Sequence, residues 1–332
     1  MFLIYSIFFF NSFRDFKERS FKIHSKTKIA ILVFLFSFFS VHLETTARFS
    51  SSIQKETKFP IQGKIVFHSN ADGDNEIFLI QKTTVRNLTD NAWEDEYPMW
   101  SPDGEKIAFA SNRDGNYDIY LMNADGSGIT KLTTSQANEN YPAWFPDGTG
   151  IAYERETKRF VGTTTSIYRF DLGTKESKKI IPQYDKRHGI PHLSPSGQLL
   201  TFTGKRMIGW DVAIYDIKQK KLKFLVEGGK SCRARFSKSG KKLAYVSTKE
   251  DRKGEIWIMN PDGTERLRLT ERDETHDYFP SWSPDDKFLV FNSSDQHDIN
   301  GNWKLCIIEV LTCKVTDLYD SPGSDVFPDW HE

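Results

Sequence analysis

Cysteine is scarce in these 332 residues: Cys232, Cys306 and Cys313 are the whole set. An odd number excludes a fully paired disulfide framework, and none of the spacings is that of a zinc site. Cys306 and Cys313 flank an expected hairpin, where a neighbouring pair and two unpaired thiols in strands both fit. Net charge is also missing. Lys plus Arg and Asp plus Glu both number 45, so no overall field draws in nucleic acid, and no basic stretch interleaved with aromatics offers it a groove. A nucleic-acid partner is not expected. There is no G-x-S-x-G elbow, no H-E-x-x-H pair, no glycine-rich phosphate loop and no dinucleotide fingerprint. No catalytic residue, metal ligand or cofactor is therefore assigned. His188 and His192 lie four apart, but Gly189 and Pro191 between them argue against the helix that would bring both onto one metal. Asp72-Gly73-Asp74-Asn75-Glu76 carries part of a calcium-loop pattern, yet it falls where a hairpin turn recurs and is read as that turn.

An apolar run of about 20 residues, the length that spans a bilayer, is absent as well. The longest apolar core is IAILVFLFSFFSVHL, residues 29–43, behind Lys26 and Lys28. Its length is that of a signal-peptide core, and Ala47 offers a small residue for cleavage. The charged stretch ahead of it leaves two other readings open, a misassigned start or an uncleaved anchor. The chain is thus divided into a charged leader (1–28), a signal-peptide core or membrane anchor (29–47), a Ser/Thr/Lys-rich linker (48–60) and a single domain (61–332). Export is expected, with membrane contact only through residues 29–43 if they are retained.

What the sequence does contain is a repeat. Tyr97 to Tyr120 reads YPMWSPDGEKIAFASNRDGNYDIY. Ser101-Pro102-Asp103-Gly104 has the residue preferences of a type I β-turn, with Pro fixing φ at the second position. The chain must reverse there, between a strand ending at Met99-Trp100 and one in which Ile107 and Phe109 alternate with Ala108 and Ala110. The unit returns at Trp144, Leu193, Phe236, Trp282 and Trp330, a spacing of 43 to 49 residues. That period suits one four-stranded propeller blade. A second turn recurs in RDGNYDIY, RKGEIWIM and ADGDNEIFLI; NADG and NPDG follow the third strand; and a short fourth strand ends in Leu88-Thr89, Leu132-Thr133 and Leu269-Thr270. Eight Trp, mostly at repeat positions, suit the gaps between blades.

The predicted fold is all-β: a six-bladed propeller of four-stranded antiparallel blades. Gly63 to Phe67 begins a unit with no W-S-P-D-G before it, whereas Asp325 to Trp330 is a lone first strand. The two incomplete ends complement one another, so the C-terminal strand is expected to pair with Lys64–Phe67 as the innermost member of the first blade and remove an open edge. Leu193 and Phe236 replace Trp, and Lys238-Ser239 replaces Pro-Asp, so blades four and five are expected to be less regular.

The recurring P-x-W-S-P-D-G-x-x-I-A-F, D-I-Y-x-M-N-x-D-G and L-T resemble the PD40 class of WD40-like repeats. That class is found in TolB-like propellers of the cell envelope and in propellers that precede the hydrolase of some prolyl peptidases. The resemblance spans Gly63 to Trp330. It implies a periplasmic, partner-binding role. It does not extend to the α/β domain that precedes the TolB propeller, nor to a hydrolase domain.

Aligning the repeats on their anchors picks out candidate site residues. Five before each anchor stand Asp95, Glu139, His188, Ser231, Asp277 and Asp325; six before stand Glu94, Asn138, Arg187, Lys230, His276 and Ser324. These loops should ring one mouth of the central channel. From them, Asp95, Glu139, Arg187, His188, Lys230, His276, Asp277 and Asp325 are taken as the partner-binding set, acidic on one side and basic on the other. Carboxylates clustered there without counterions would raise one another's pKa and favour a basic peptide or a cation. Two functions of different class follow. One is a monomeric, non-catalytic propeller that binds an envelope protein or peptide. The other is a propeller enzyme, a metal-dependent hydrolase or lyase acting on a small molecule or glycan in the channel.

Overall fold

A computed structural model describes residues 56–158, 162–184, 186–250, 252–272, 274–294 and 302–332. The expectations for residues 1–28 and 29–47 lie outside the described residues. Among those described, every regular element is a β-strand, and the strands form six antiparallel sheets of four. Blade one consists of Asp325–His331, Lys64–Ser69, Glu76–Gln81 and Thr84–Asn87, in that spatial order. The other five blades take four consecutive strands each. They start with Asp95–Trp100, Glu139–Trp144, His188–Leu193, Ser231–Phe236 and His276–Trp282. Each of these first strands lies against the first strand of the next blade, closing a ring around the axis.

The expected closure is present. Lys64 pairs with His331, Ile65 with Trp330 and Ser69 with Asp325. The turn chemistry is also as read. Gly104 N–H donates to the Ser101 carbonyl at 3.0 Å, and the Ser101 hydroxyl accepts Lys106 N–H at 2.9 Å. Gly104 sits at φ 69°, which glycine adopts at no steric cost. Asp286 takes that place in blade six at φ 59°, where a short polar side chain is tolerated. The blades carrying Leu193 and Phe236 keep the strand order of the rest. Their turns close with the same bond, Gly197 to Ser194 and Gly240 to Ser237. The expected irregularity is not seen there, because the bond that closes the turn joins backbone groups and forms without the Pro-Asp pair.

The recurrent Leu-Thr has a structural reason. The hydroxyls of Thr89, Thr133 and Thr270 accept the N–H groups of Ile77, Ile119 and Ile256 at 2.8, 2.9 and 2.9 Å. Each buried amide at the start of a third strand is thereby satisfied.

The core is spread between neighbouring blades. Phe67, Phe78 and Trp330 of blade one pack with Val290, Leu305 and Tyr319 of blade six, and Val66 and Ile77 pack with Trp100 and Phe109 of blade two. Burying each such side chain contributes about 1.5–3 kcal/mol. Indole N–H groups fasten adjacent blades: Trp144 Nε1 donates to the Met99 carbonyl at 3.3 Å and Trp282 Nε1 to the Arg235 carbonyl at 3.2 Å. The described part of the expected linker is built into the wall. Thr57 N–H donates to Thr83 O of blade one, Lys58 N–H to Leu318 O of blade six, and Ile61 is buried. Cys306 is buried, Cys313 is exposed, and all three thiols are free.

Candidate functional site

Each innermost strand contains one irregularity, at the same place. In blade two Glu96 pairs with Ala110 and Met99 with Ala108, so Tyr97 and Pro98 together oppose Phe109 alone. Two residues against one is a β-bulge. The same shift recurs in the other five innermost strands. Proline supplies the local reason: Pro98, Pro142, Pro191, Pro280 and Pro328 have no N–H to give the ladder, and within a sheet they belong at an edge or a bulge. The preceding residue takes up the strain. Tyr97, Tyr141, Ile190, Arg233, Phe279 and Phe327 all adopt φ between 54° and 60°, a region that bulky L-residues rarely enter.

These residues meet on the axis. The rings of Tyr97 and Tyr141 are 4.2 Å apart, those of Phe279 and Phe327 4.1 Å, and the Arg233 guanidinium stacks 4.2 Å over Phe279. A cavity against Tyr141, Ile190, Arg233, Phe279 and Phe327 measures about 10 Å³, no more than a single water needs. The channel is plugged at mid-height, leaving two mouths at opposite ends of the innermost strands.

At the mouth where those strands begin, most of the expected ring is turned inward and paired. Asp95 is fully buried and receives two bonds from Arg113 Nη2, each 3.0 Å. Glu139 is fully buried against Arg155 at 2.5 Å, and Asp277 is buried against Arg272 at 2.5 Å. Asp325 accepts the Ser321 N–H at 2.8 Å and the Ser321 hydroxyl at 2.7 Å. His188 donates Nδ1–H to the Lys186 carbonyl at 2.7 Å, and burial lowers its pKa to about 4. His276 Nδ1 accepts Gly254 N–H at 3.2 Å. The expectation of carboxylates without counterions is corrected on this point: Asp95, Glu139 and Asp277 each meet an arginine, and they brace the loops from within. Arg187 and Lys230 alone of the set are exposed.

Arg187 and Lys230 share a cavity of about 310 Å³, lined also by Glu154, Arg233, Trp210, Tyr141 and Tyr278. The Arg187 guanidinium lies 5.6 Å over the Trp210 ring. Gly189 makes the cavity's inner wall; a Cβ there would stand 1.5 Å from Glu154 Oε2, so only glycine lets that carboxyl in. Burial raises the Glu154 pKa to about 7 against the opposing bond from Ile190 N–H and the charge of Arg187. Across the plug, burial likewise raises Glu96 to about 7, and Asn75 Nδ2 donates to both Glu94 and Glu96 at 2.8 Å. Arg187 and Lys230 thus stand at this mouth on blades four and five, and Glu94 and Glu96 on blade two. Glu154 and the plug residues were not singled out in the sequence. The signal for the plug was the proline two residues before five of the six anchors.

Comparison with known proteins places this geometry. A family model described as the TolB beta propeller domain (PD40) matches residues 39–206. Among solved structures, TolB from Acinetobacter baumannii is similar over 81% of this chain and 66% of its own, with 22% identity and a TM-score of 0.68. A putative TolB from Agrobacterium tumefaciens is similar over 81% of this chain and 98% of its own, with 20% identity and a TM-score of 0.62. Hydrazine synthase of Kuenenia stuttgartiensis is similar over 81% of this chain and 46% of its own, with 16% identity and a TM-score of 0.66. The chain thus spans slightly under two thirds of the length of the Acinetobacter protein, and at these identities the likeness is one of fold. Comparison with curated proteins gives no match. With the family model covering half of the sequence and the six-bladed ring observed, the chain belongs to the TolB β-propeller (PD40) family.

Proposed function

We propose that this is an exported, non-catalytic propeller that binds a protein or peptide of the cell envelope, as a monomer, at the mouth where its innermost strands begin. The observation that carries the reading is the plug. With Tyr97, Tyr141, Arg233, Phe279 and Phe327 stacked across the axis, a ligand is met at the mouth and does not thread the channel. At that mouth Arg187 and Lys230 are exposed around the 310 Å³ cavity, beside aromatic rings, the mixture that anchors a partner's acidic and apolar side chains. Export is supported by the basic and apolar pattern of residues 1–47 and by the TolB-like resemblance. The test is cross-linking to identify the partner, followed by calorimetry with the wild type and an Arg187→Glu/Lys230→Glu variant. Loss of about tenfold or more in affinity is expected where two basic contacts become repulsive. Unchanged affinity moves the site elsewhere.

A second reading, a propeller enzyme acting on a small molecule or glycan, has one observation in its favour. Glu154 is an acid with a pKa near 7 at the wall of a cavity, the state a general acid–base needs. Turnover that Glu154→Gln abolishes, or a stoichiometric divalent ion in the purified protein, would favour it.

A further inference from the structure

The opposite mouth holds a second, differently built cavity. One residue before each anchor stand Met99, Ala143, His192, Arg235, Ser281 and Asp329, and all six line a space of about 370 Å³. The walls are the rings of Trp144, Trp282, Pro146, Pro195 and Pro284. Asp329 is buried, and its acceptors are occupied. Oδ1 receives Arg235 Nη1 at 3.0 Å and the Ser281 hydroxyl at 3.2 Å, and Oδ2 receives Trp100 N–H at 2.9 Å.

Arg235 is only 7% exposed, and its bonds leave from Nη1 alone, to Asp329 and to the Pro328 carbonyl at 3.1 Å. A guanidinium has five N–H donors, so those on Nε and Nη2 have no partner among the described residues. His192 Nδ1 accepts Phe236 N–H at 3.3 Å, which puts the proton of the neutral ring on Nε2, a further donor. Burial, with Arg235 and Lys238 nearby, holds that ring neutral. Lys238 sends its ammonium inward to the Trp330 carbonyl at 2.7 Å and keeps two more donors. Among the charged side chains lining the cavity, Arg235 and Lys238 oppose Asp329, whose acceptors are already taken, and Glu332 at the exposed rim, so what the cavity offers a ligand is its uncommitted N–H donors.

We propose that this cavity is a binding site for a small organic monoanion, a carboxylate head on an apolar body. Arg235, Lys238 and His192 Nε2–H take the carboxylate, and the Trp and Pro walls take the body. The volume is that of an ordinary small-ligand pocket, and an arginine fork matches carboxylate geometry. The site lies on the far side of the plug from the proposed partner mouth and does not depend on that reading. Two sources carry this chemistry, a free acid and the C-terminal carboxylate of a peptide.

The experiment is titration of the full chain, followed by tryptophan fluorescence, since Trp100, Trp144 and Trp282 line the cavity. The probes are hydrocinnamate and N-acetyl-Ala-Phe as free acids, each against its amide. Saturable binding of an acid, with the amide weaker by about tenfold or more, is expected, because the amide leaves charged donors unanswered. Binding of hydrocinnamate alone identifies a free acid as the ligand class, and binding of the peptide acid alone identifies a chain terminus. Lys238→Ala, which removes the ammonium held at the Trp330 carbonyl and whose fold is checked by urea unfolding, is expected to weaken the acid about fivefold and leave the amide unchanged. An Arg235→Met/Asp329→Asn variant removes both buried charges together and should abolish acid selectivity. Equal binding of acid and amide, or no saturation by either acid, overturns the proposal.

Discussion

Replacing Asp325 by asparagine tests whether the carboxylates at the strand starts are structural. Asp325 is fully buried, and burial raises its pKa from 3.8 to about 7, against the bonds from Ser321 that favour the charged form. The sign follows from proton counting. Between pH 3.8 and 7 the native state holds a proton that the unfolded state has released, so stability falls as pH rises through that window and levels off above it. A displacement of about three units, at 1.36 kcal/mol each, amounts to about 4 kcal/mol. Asparagine copies the neutral acid: its oxygen can accept Ser321 N–H, and its amide can donate to the hydroxyls of Ser321 and Ser69. Urea unfolding followed by tryptophan fluorescence should therefore give two proteins within about 1 kcal/mol at pH 4, with Asp325→Asn ahead by about 4 kcal/mol at pH 8 and the same m-value. Glu76, Glu96 and Glu154 are displaced upward as well, but they are common to both proteins and cancel. A gap that stays constant with pH, or a wild type that gains on the variant as pH rises, would refute the reasoning. Either would mean that Ser321 holds the group ionised.

The remaining predictions concern the braces of the same loops. Arg113→Ala removes both bonds to the buried Asp95 carboxylate and should cost about 3–5 kcal/mol in unfolding free energy. The double variant with Asp95→Asn should recover part of that loss, whereas an additive cycle would show that the pair is not coupled. Thr89→Val keeps the shape but strips the acceptor from Ile77 N–H and should cost about 1–3 kcal/mol. Hydrogen exchange at the Ile77 amide should quicken locally, and unchanged protection there would refute the assignment of the Leu-Thr motif.

The fold was legible because the turn and period signals are local. Ser-Pro-Asp-Gly specifies its reversal within four residues, and a period of 43 to 49 residues leaves few architectures for strands of this length. The closure was legible because the two partial units at the ends are complementary. The chemistry of the mouth was not. Asp95, Glu139 and Asp277 look like loop carboxylates in the sequence, but they open the first strands, and Arg113, just past the second strand of blade two, and Arg155, within the second strand of blade three, meet two of them. That pairing depends on strand register, which the one-dimensional alignment did not carry. Arg187 and Lys230 stand exposed at the same mouth, with no ion pair among the described residues. Glu154 escaped notice since its environment is set by Gly189, a residue of the neighbouring blade.

The plug ties these observations together through its energetics. Six bulky or charged residues held at positive φ cost on the order of 1–3 kcal/mol each, and six independent accidents at one aligned position are not credible. The compensation is local. The bulge disposes of a proline that has no N–H to offer, and it sends the strained side chain to the axis, where burial, full for Phe327 and partial for the other five, offsets part of that cost and ring pairs at 4.1 and 4.2 Å add about 0.5–1.5 kcal/mol. Ile190 and Arg233 break the aromatic run in blades four and five, the blades whose cavity contains Glu154, Arg187 and Lys230. Ile190 lines that cavity, and Arg233, stacked on Phe279, brings a charge to it. The sequence therefore departs from its own repeat where the wall of the first mouth requires a smaller or a charged residue. The departure, rather than the repeat, is what sets that mouth apart from the rest of the ring.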